Sequence, residues 1–127
     1  MTSDGQEHLK ATGHRELRVW QDAMALVRNV YSVTKRFPLD EQFGLSSQSR
    51  RAAVSVPSNI AEGAARTSKR EFAQFLSVAR GSLAEVETQV LIAQDLGYLA
   101  RSDDSILDAV SGLVRSISAV MRSLERK

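Results

Sequence analysis

Apolar residues recur at alternating steps of three and four in separate segments of this chain, and that spacing predicts four amphipathic helices. Leu17, Trp20, Met24, Val27, Tyr31 and Thr34 form one stripe; Leu45, Ala52, Val56 and Ile60 form a weaker one. Phe72, Leu76, Ala79, Leu83, Val86, Val90 and Ala93 form the third; Ile106, Val110, Leu113, Ile117, Val120 and Leu124 form the fourth. A repeat near 3.5 residues keeps such stripes face to face only when helices cross at about 20°. The expected fold is therefore all-α, an up-down antiparallel four-helix bundle over residues 17–127, preceded by a disordered tail of residues 1–16.

Start and stop signals frame the helices. Helix one is expected from about Leu17 to Arg36, because Pro38 pushes Phe37 out of helical dihedrals. Helix two, from about Leu45 to Glu62, carries Pro57, which deletes a backbone hydrogen bond and predicts a kink; Gly63 behind it is the expected left-handed cap. Helix three opens at Ser68 with Glu71 three residues on, a capping box, and runs to a stop at Gly97. Helix four starts behind Ser102, with Asp103 and Asp104 at its positive dipole end.

Two helices have a second row. In helix one, Val19, Ala23, Leu26, Val30, Val33 and Phe37 repeat the same spacing about 110° around the axis. That row either widens the core contact or forms a surface for other copies, which makes Val19, Leu26, Val30 and Val33 candidate oligomer contacts. In helix three, Phe75, Val78, Ser82, Glu85, Gln89, Ile92 and Leu96 place two polar residues between apolar ends. Polar groups held there need partners, and Arg50 or Arg51 on helix two is the expected one for Glu85 and Gln89, as a structural pairing that sets register.

Composition narrows the chemistry. At 127 residues and 43% hydrophobic content, one domain can bury its own core. Absence of cysteine excludes disulfides, thiolate metal sites and cysteine nucleophiles, and makes the cytoplasm the expected compartment. No stretch approaches the roughly 20 apolar residues of a membrane span. The histidines, His8 and His14, both fall in the expected tail, which excludes a diiron centre or a histidine general base in the bundle. Neither a glycine-rich phosphate loop nor a nucleophile beside a base is visible, so no cofactor, no metal and no enzymatic activity are expected.

Charge is mild overall at +2 but unevenly spread. Arg50, Arg51, Arg66, Lys69, Arg70 and Arg80 stand against Glu62 and Glu71, whereas from Gly81 to Asp108 Arg101 alone faces Glu85, Glu87, Asp95, Asp103, Asp104 and Asp108. One end of helix three is basic and the other acidic. Arg66, Lys69 and Arg70 gather at the junction of helices two and three, with Arg80 further along, and form the candidate nucleic-acid surface. Phe72 and Phe75 fall on apolar rows, so contact is expected with phosphates rather than stacked bases. The alternative is a protein-interaction scaffold that uses helix one's second row and the polarity of helix three, without nucleic acid.

The run GLSSQSRRAAVSVPSNIAEGAARTSKREFAQFLSVARGSLAEVETQVLIAQDLGYL and the preceding LRVWQDAMALVRNVYSVTKRFP closely resemble the bacterial four-helix-bundle proteins encoded in 23S ribosomal RNA intervening sequences. RRAAVSVPSNIAEG is the most specific part of a resemblance that extends from Leu17 to Leu99. It implies an up-down bundle assembled as a homopentamer. It also implies kinship with accessory proteins of diversity-generating retroelements, which bind nucleic acid and work with a partner protein, a reverse transcriptase. By position, Arg50, Arg51, Pro57, Asn59, Ile60, Glu62 and Gly63 match the helix-two motif, and Gly81, Leu83, Glu85 and Gln89 the helix-three motif, in structural roles. Ser49 departs from the pattern, which has an apolar residue before the two arginines.

Overall fold

The computed structural model describes residues 13–125. Its helices are α1 (Arg18–Thr34), α2 (Leu45–Ala64), α3 (Lys69–Asp95) and α4 (Ser105–Glu125), with 3-10 turns at Gly13–Glu16 and Leu39–Glu41 and no strand among the described residues. The first twelve residues of the expected tail, His8 included, lie outside the described part. Its last four form the first 3-10 turn, where the His14 ring sits 4.8 Å from Trp20 and the Arg15 carbonyl accepts from Gln21 Nε2 at 2.9 Å.

The helix ends follow their local chemistry. Ser68 caps α3 by accepting from the Glu71 N–H at 3.0 Å and donates its hydroxyl to the Glu71 carboxylate at 3.2 Å. At the other end Gly97 takes φ +82, and paired bonds from Gly97 N to Gln94 O and from Tyr98 N to Ala93 O close the helix in a Schellman arrangement. Before α4, Asp103 Oδ1 accepts from the Ser105 hydroxyl at 2.7 Å and the Ser105 N–H at 3.2 Å, which holds the Asp103 carboxyl below its usual range.

Each helix packs on two neighbours, α1 on α2 and α4, α3 on α2 and α4, and the α2–α3 seam is the most extensive. Leu26, Val30, Val56, Ile60, Leu76, Leu83, Val86 and Ile117 are sealed from solvent at the centre. The stripes expected for α2 and for the middle of α3 and α4 face this core. Among the described residues no helix is long and apolar enough to cross a membrane.

In helix α1 the second row widens the core contact and is the more deeply buried of the two. Val19, Leu26, Val30 and Val33, proposed as contacts for other copies, are core residues of the single chain, with Leu26 1% exposed. The row assigned to the core is only partly buried: Thr34 is enclosed, Leu17, Trp20 and Val27 are half-buried against the core, Met24 is half-buried and Tyr31 is exposed. Ala23 sits at the centre of the buried row, and its single methyl lets α1 approach its neighbours closely.

Gly63 does not terminate α2 in a left-handed conformation; it lies inside the helix and is buried. A β-carbon there would fall 2.7 Å from Phe75 Cβ and 2.9 Å from Phe72 Cδ1. The glycine is required because α3 crosses α2 at that point with no room for a side chain. Pro57 is buried within α2, and the serine two residues before it reaches across the seam: the Ser55 and Ser82 hydroxyls lie 2.7 Å apart, and Asn59 Nδ2 donates to both the Ser55 carbonyl and its hydroxyl.

Candidate nucleic-acid interface

The connection between α2 and α3 spans residues 65–68, so the first residues of α3, Lys69 and Arg70, are presented at one end of the molecule. Both are exposed, and neither has an ion-pair partner among the described residues. They border an open groove of about 480 Å³ whose far wall is Leu124 and Glu125 of α4. The amino-terminal end of α3 adds its own positive potential there.

Arg66 behaves differently. Its guanidinium donates to Glu62 Oε2 at 3.1 Å and lies 5.0 Å from the centre of the Phe75 ring, so its charge is largely answered inside the chain. Arg80 is about 16 Å along α3 from Lys69, on the same side of the helix. Its Nη1 donates to Ser118 Oγ of α4 at 3.1 Å. The structure thus places Lys69, Arg70 and Arg80 along the α3–α4 seam and sets Arg66 beside them as a paired residue.

Two further cations belong to this seam and were missed in the sequence. Arg115 and Arg122 lie within about 60° of Ser118 around α4, hence on the side that meets Arg80. Their seven-residue separation was a visible signal, obscured because the apolar row of α4 dominates the reading of that segment. Asp108 extends the same row toward the acidic end. The seam is therefore graded, cationic where α3 begins and α4 ends, and anionic at the opposite end.

The predicted pairing of Arg50 and Arg51 with Glu85 and Gln89 is not what forms. Arg50 turns to α1: Nε donates to Thr34 Oγ1 at 2.8 Å, and the guanidinium carbon lies 4.6 Å from the Tyr31 ring centre. Thr34 is held in turn, its hydroxyl donating to Val30 O at 2.7 Å. Arg51 lies between two grooves, one that it lines with Arg50 and a polar one that it lines with Gln48, Ser55, Glu85 and Gln89, but no ion pair joins it to Glu85 among the described residues. Gln89 Oε1 is buried there without a hydrogen-bond partner. Adjacent residues on a helix point about 100° apart, so Arg50 and Arg51 do not both reach Glu85 and Gln89.

Nor are all aromatic rings committed to helix packing. Phe43, in the connection before α2, is 89% exposed, and with Tyr31, Arg50, Arg51 and Val54 it lines a groove of about 620 Å³ between α1 and α2. Phe43 belongs to no periodic row, which is why the stripes concealed it.

A family model described as 23S rRNA-intervening sequence protein matches residues 15–120. A search of curated proteins finds no match to the chain.

Proposed function

The chain belongs to the 23S rRNA-intervening sequence protein family, and from that premise we propose a non-enzymatic, self-associating helical bundle of the cytoplasm that binds RNA through its α3–α4 face. The observation that carries this reading is the row of cations Lys69, Arg70, Arg80, Arg115 and Arg122 along one seam, where Glu125 is the acidic residue lining the groove. Such a surface attracts a phosphate backbone without reading sequence, and binding to it weakens steeply with salt. The surface can contact any phosphate backbone, and RNA is the ligand chosen for this reading.

Self-association uses the outer row of α1. Trp20, Met24 and Val27 flank Val54, Pro57 and Ala61 around an apolar groove of about 290 Å³. A pentamer is the state that the family resemblance implies. An up-down antiparallel order of helices, with a bend where Pro57 withholds its hydrogen bond, completes the reading; the short connections between neighbouring helices support it. The competing reading is a protein-interaction scaffold, favoured by the exposed apolar positions Val78, Ile92 and Leu96 on α3.

Replacing Lys69 and Arg70 together with Glu tests the RNA reading. Affinity for a single-stranded RNA should collapse at low salt, and the slope of log affinity against log salt should fall by about 1.4, the contribution of two phosphates. Helical content should stay that of the parent by circular dichroism. Unchanged RNA affinity in this variant would leave the scaffold reading in possession.

A further inference from the structure

The groove between α1 and the start of α2 lies about 20 Å along α2 from the basic end, and nothing above assigns it a role. It combines three features. A phenylalanine ring stands almost wholly in solvent, at 89% exposure, where packing gives it no purpose. A guanidinium is immobilised beside it, clamped by Thr34 Oγ1 on one edge and the Tyr31 ring on its face, while its Nη atoms have no acceptor among the described residues. A second arginine, Arg51, opens on the same space, and no lining residue is acidic; Glu85 lines the adjoining groove on the far side of Arg51, and the Glu41 carboxylate is engaged by the Leu45 N–H and the Tyr98 hydroxyl.

A fixed arginine with free donors matches an anion that takes two parallel hydrogen bonds, which is phosphate or carboxylate geometry. An exposed flat ring a short distance away matches a flat partner. Single-stranded nucleic acid supplies both from one repeating unit, since an unpaired base offers its face and the adjoining phosphate offers its oxygens. A duplex does not, because its bases are stacked on one another. The groove is open along its length, at about 620 Å³, as an extended strand requires.

We propose that this groove is a second RNA contact selective for single strands, in which Arg50 and Arg51 hold a backbone phosphate and Phe43 stacks on an unpaired base. The proposal rests on the RNA reading above for its ligand, but on a different surface and different residues. The α3–α4 face gathers RNA of any secondary structure; the α1–α2 groove discriminates the unpaired strand.

Fluorescence anisotropy decides it, with a labelled ten-nucleotide single strand and a duplex of equal length titrated against the parent, Phe43→Ala, Arg51→Glu and the Lys69/Arg70 double Glu variant. Phe43→Ala should weaken single-strand binding about tenfold, the loss of one stacked base, and leave duplex binding unaltered. Arg51→Glu should weaken the single strand more than the duplex, and the double variant should weaken both. Silence of Phe43→Ala on the single strand overturns the groove even if the double variant abolishes binding. Loss at Phe43 and Arg51 with an unaffected double variant keeps the groove and overturns the α3–α4 reading. A fall in oligomer mass for Phe43→Ala by light scattering makes the groove a subunit contact, and displacement of the strand by a Glu-rich peptide at equal concentration makes it a peptide site; either result overturns the proposal, as does a parent that binds neither RNA.

Discussion

Helix α1 carries two apolar rows of identical spacing, and they meet opposite fates. Val19, Ala23, Leu26, Val30 and Val33 are sealed in the core, whereas Trp20, Met24, Val27 and Tyr31 line an open flank. The inner row is made of compact aliphatic side chains around one alanine, which suits close approach on two sides. The outer row is made of large or adaptable side chains, two of them with a polar handle, which tolerate partial exposure. Spacing locates the faces of a helix; side-chain size and polarity decide which face goes inside.

The strongest way to break this comparison is to exchange the treatment of adjacent residues. Leu26→Asp buries a carboxylate in the core and should cost about 4 kcal/mol or more, a large share of the stability of a domain this size, so the urea midpoint should collapse. Met24→Asp combined with Val27→Asp should leave a cooperative fold and act instead on mass by light scattering. Equal unfolding by both variants would erase the distinction between the rows.

The same contrast is sharpened by the most closely fitted point of the sealed side. Gly63→Ala sets a methyl against Phe75 Cβ and Phe72, and overpacking there should cost about 1–3 kcal/mol, although alanine favours helix by about 1 kcal/mol relative to glycine. A midpoint at or above the parent's would mean that α2 and α3 separate there with ease. On the open side, Tyr31→Ala should cost no more than about 1 kcal/mol while it removes one of the two contacts that hold Arg50, a loss to be read from the thermal midpoint.

Smallest is the effect of Tyr98→Phe, which removes a bond between two connections. The Glu41 carboxyl accepts from the Leu45 N–H and from the Tyr98 hydroxyl, which hold it below its ordinary 4.5, so its contribution is present above that value and lost as pH falls through its lower folded value. The same bond to Glu41 raises Tyr98 above 10.0, so the neutral hydroxyl contributes below that value and is lost as pH rises through its higher folded value. Tyr98→Phe should lower the thermal midpoint slightly between those limits, remove the alkaline edge and only soften the acid one, since the Leu45 N–H still holds Glu41; a superimposable pH profile would mean that the bond does not form in solution.

The architecture was legible because α3 and α4 each repeat one dominant apolar row that only a core can satisfy, and because Ser68 and Gly97 mark their boundaries by local chemistry. What escaped was whatever depended on a neighbour. Gly63 reads like a terminator until α3 is seen pressed against it. Arg50 reads like a partner for Glu85 until Thr34 and Tyr31 prove to be on its side of the helix. At the candidate interface Lys69 and Arg70 were readable as a cluster next to a turn, but Arg115 and Arg122 join them only through the packing of α4 on α3, and Phe43 has no periodicity to betray it.

Tyr98 ties three helix ends into one event. Its amide closes α3 on Ala93, its ring lies 5.6 Å from that of Phe37 just beyond α1, and its hydroxyl holds the carboxylate that receives the Leu45 amide at the start of α2. Fraying at any of these ends loosens the others, so amides of the last turn of α3 and the first turn of α2 should exchange with solvent deuterium at a shared rate. That end of the bundle should open as one unit.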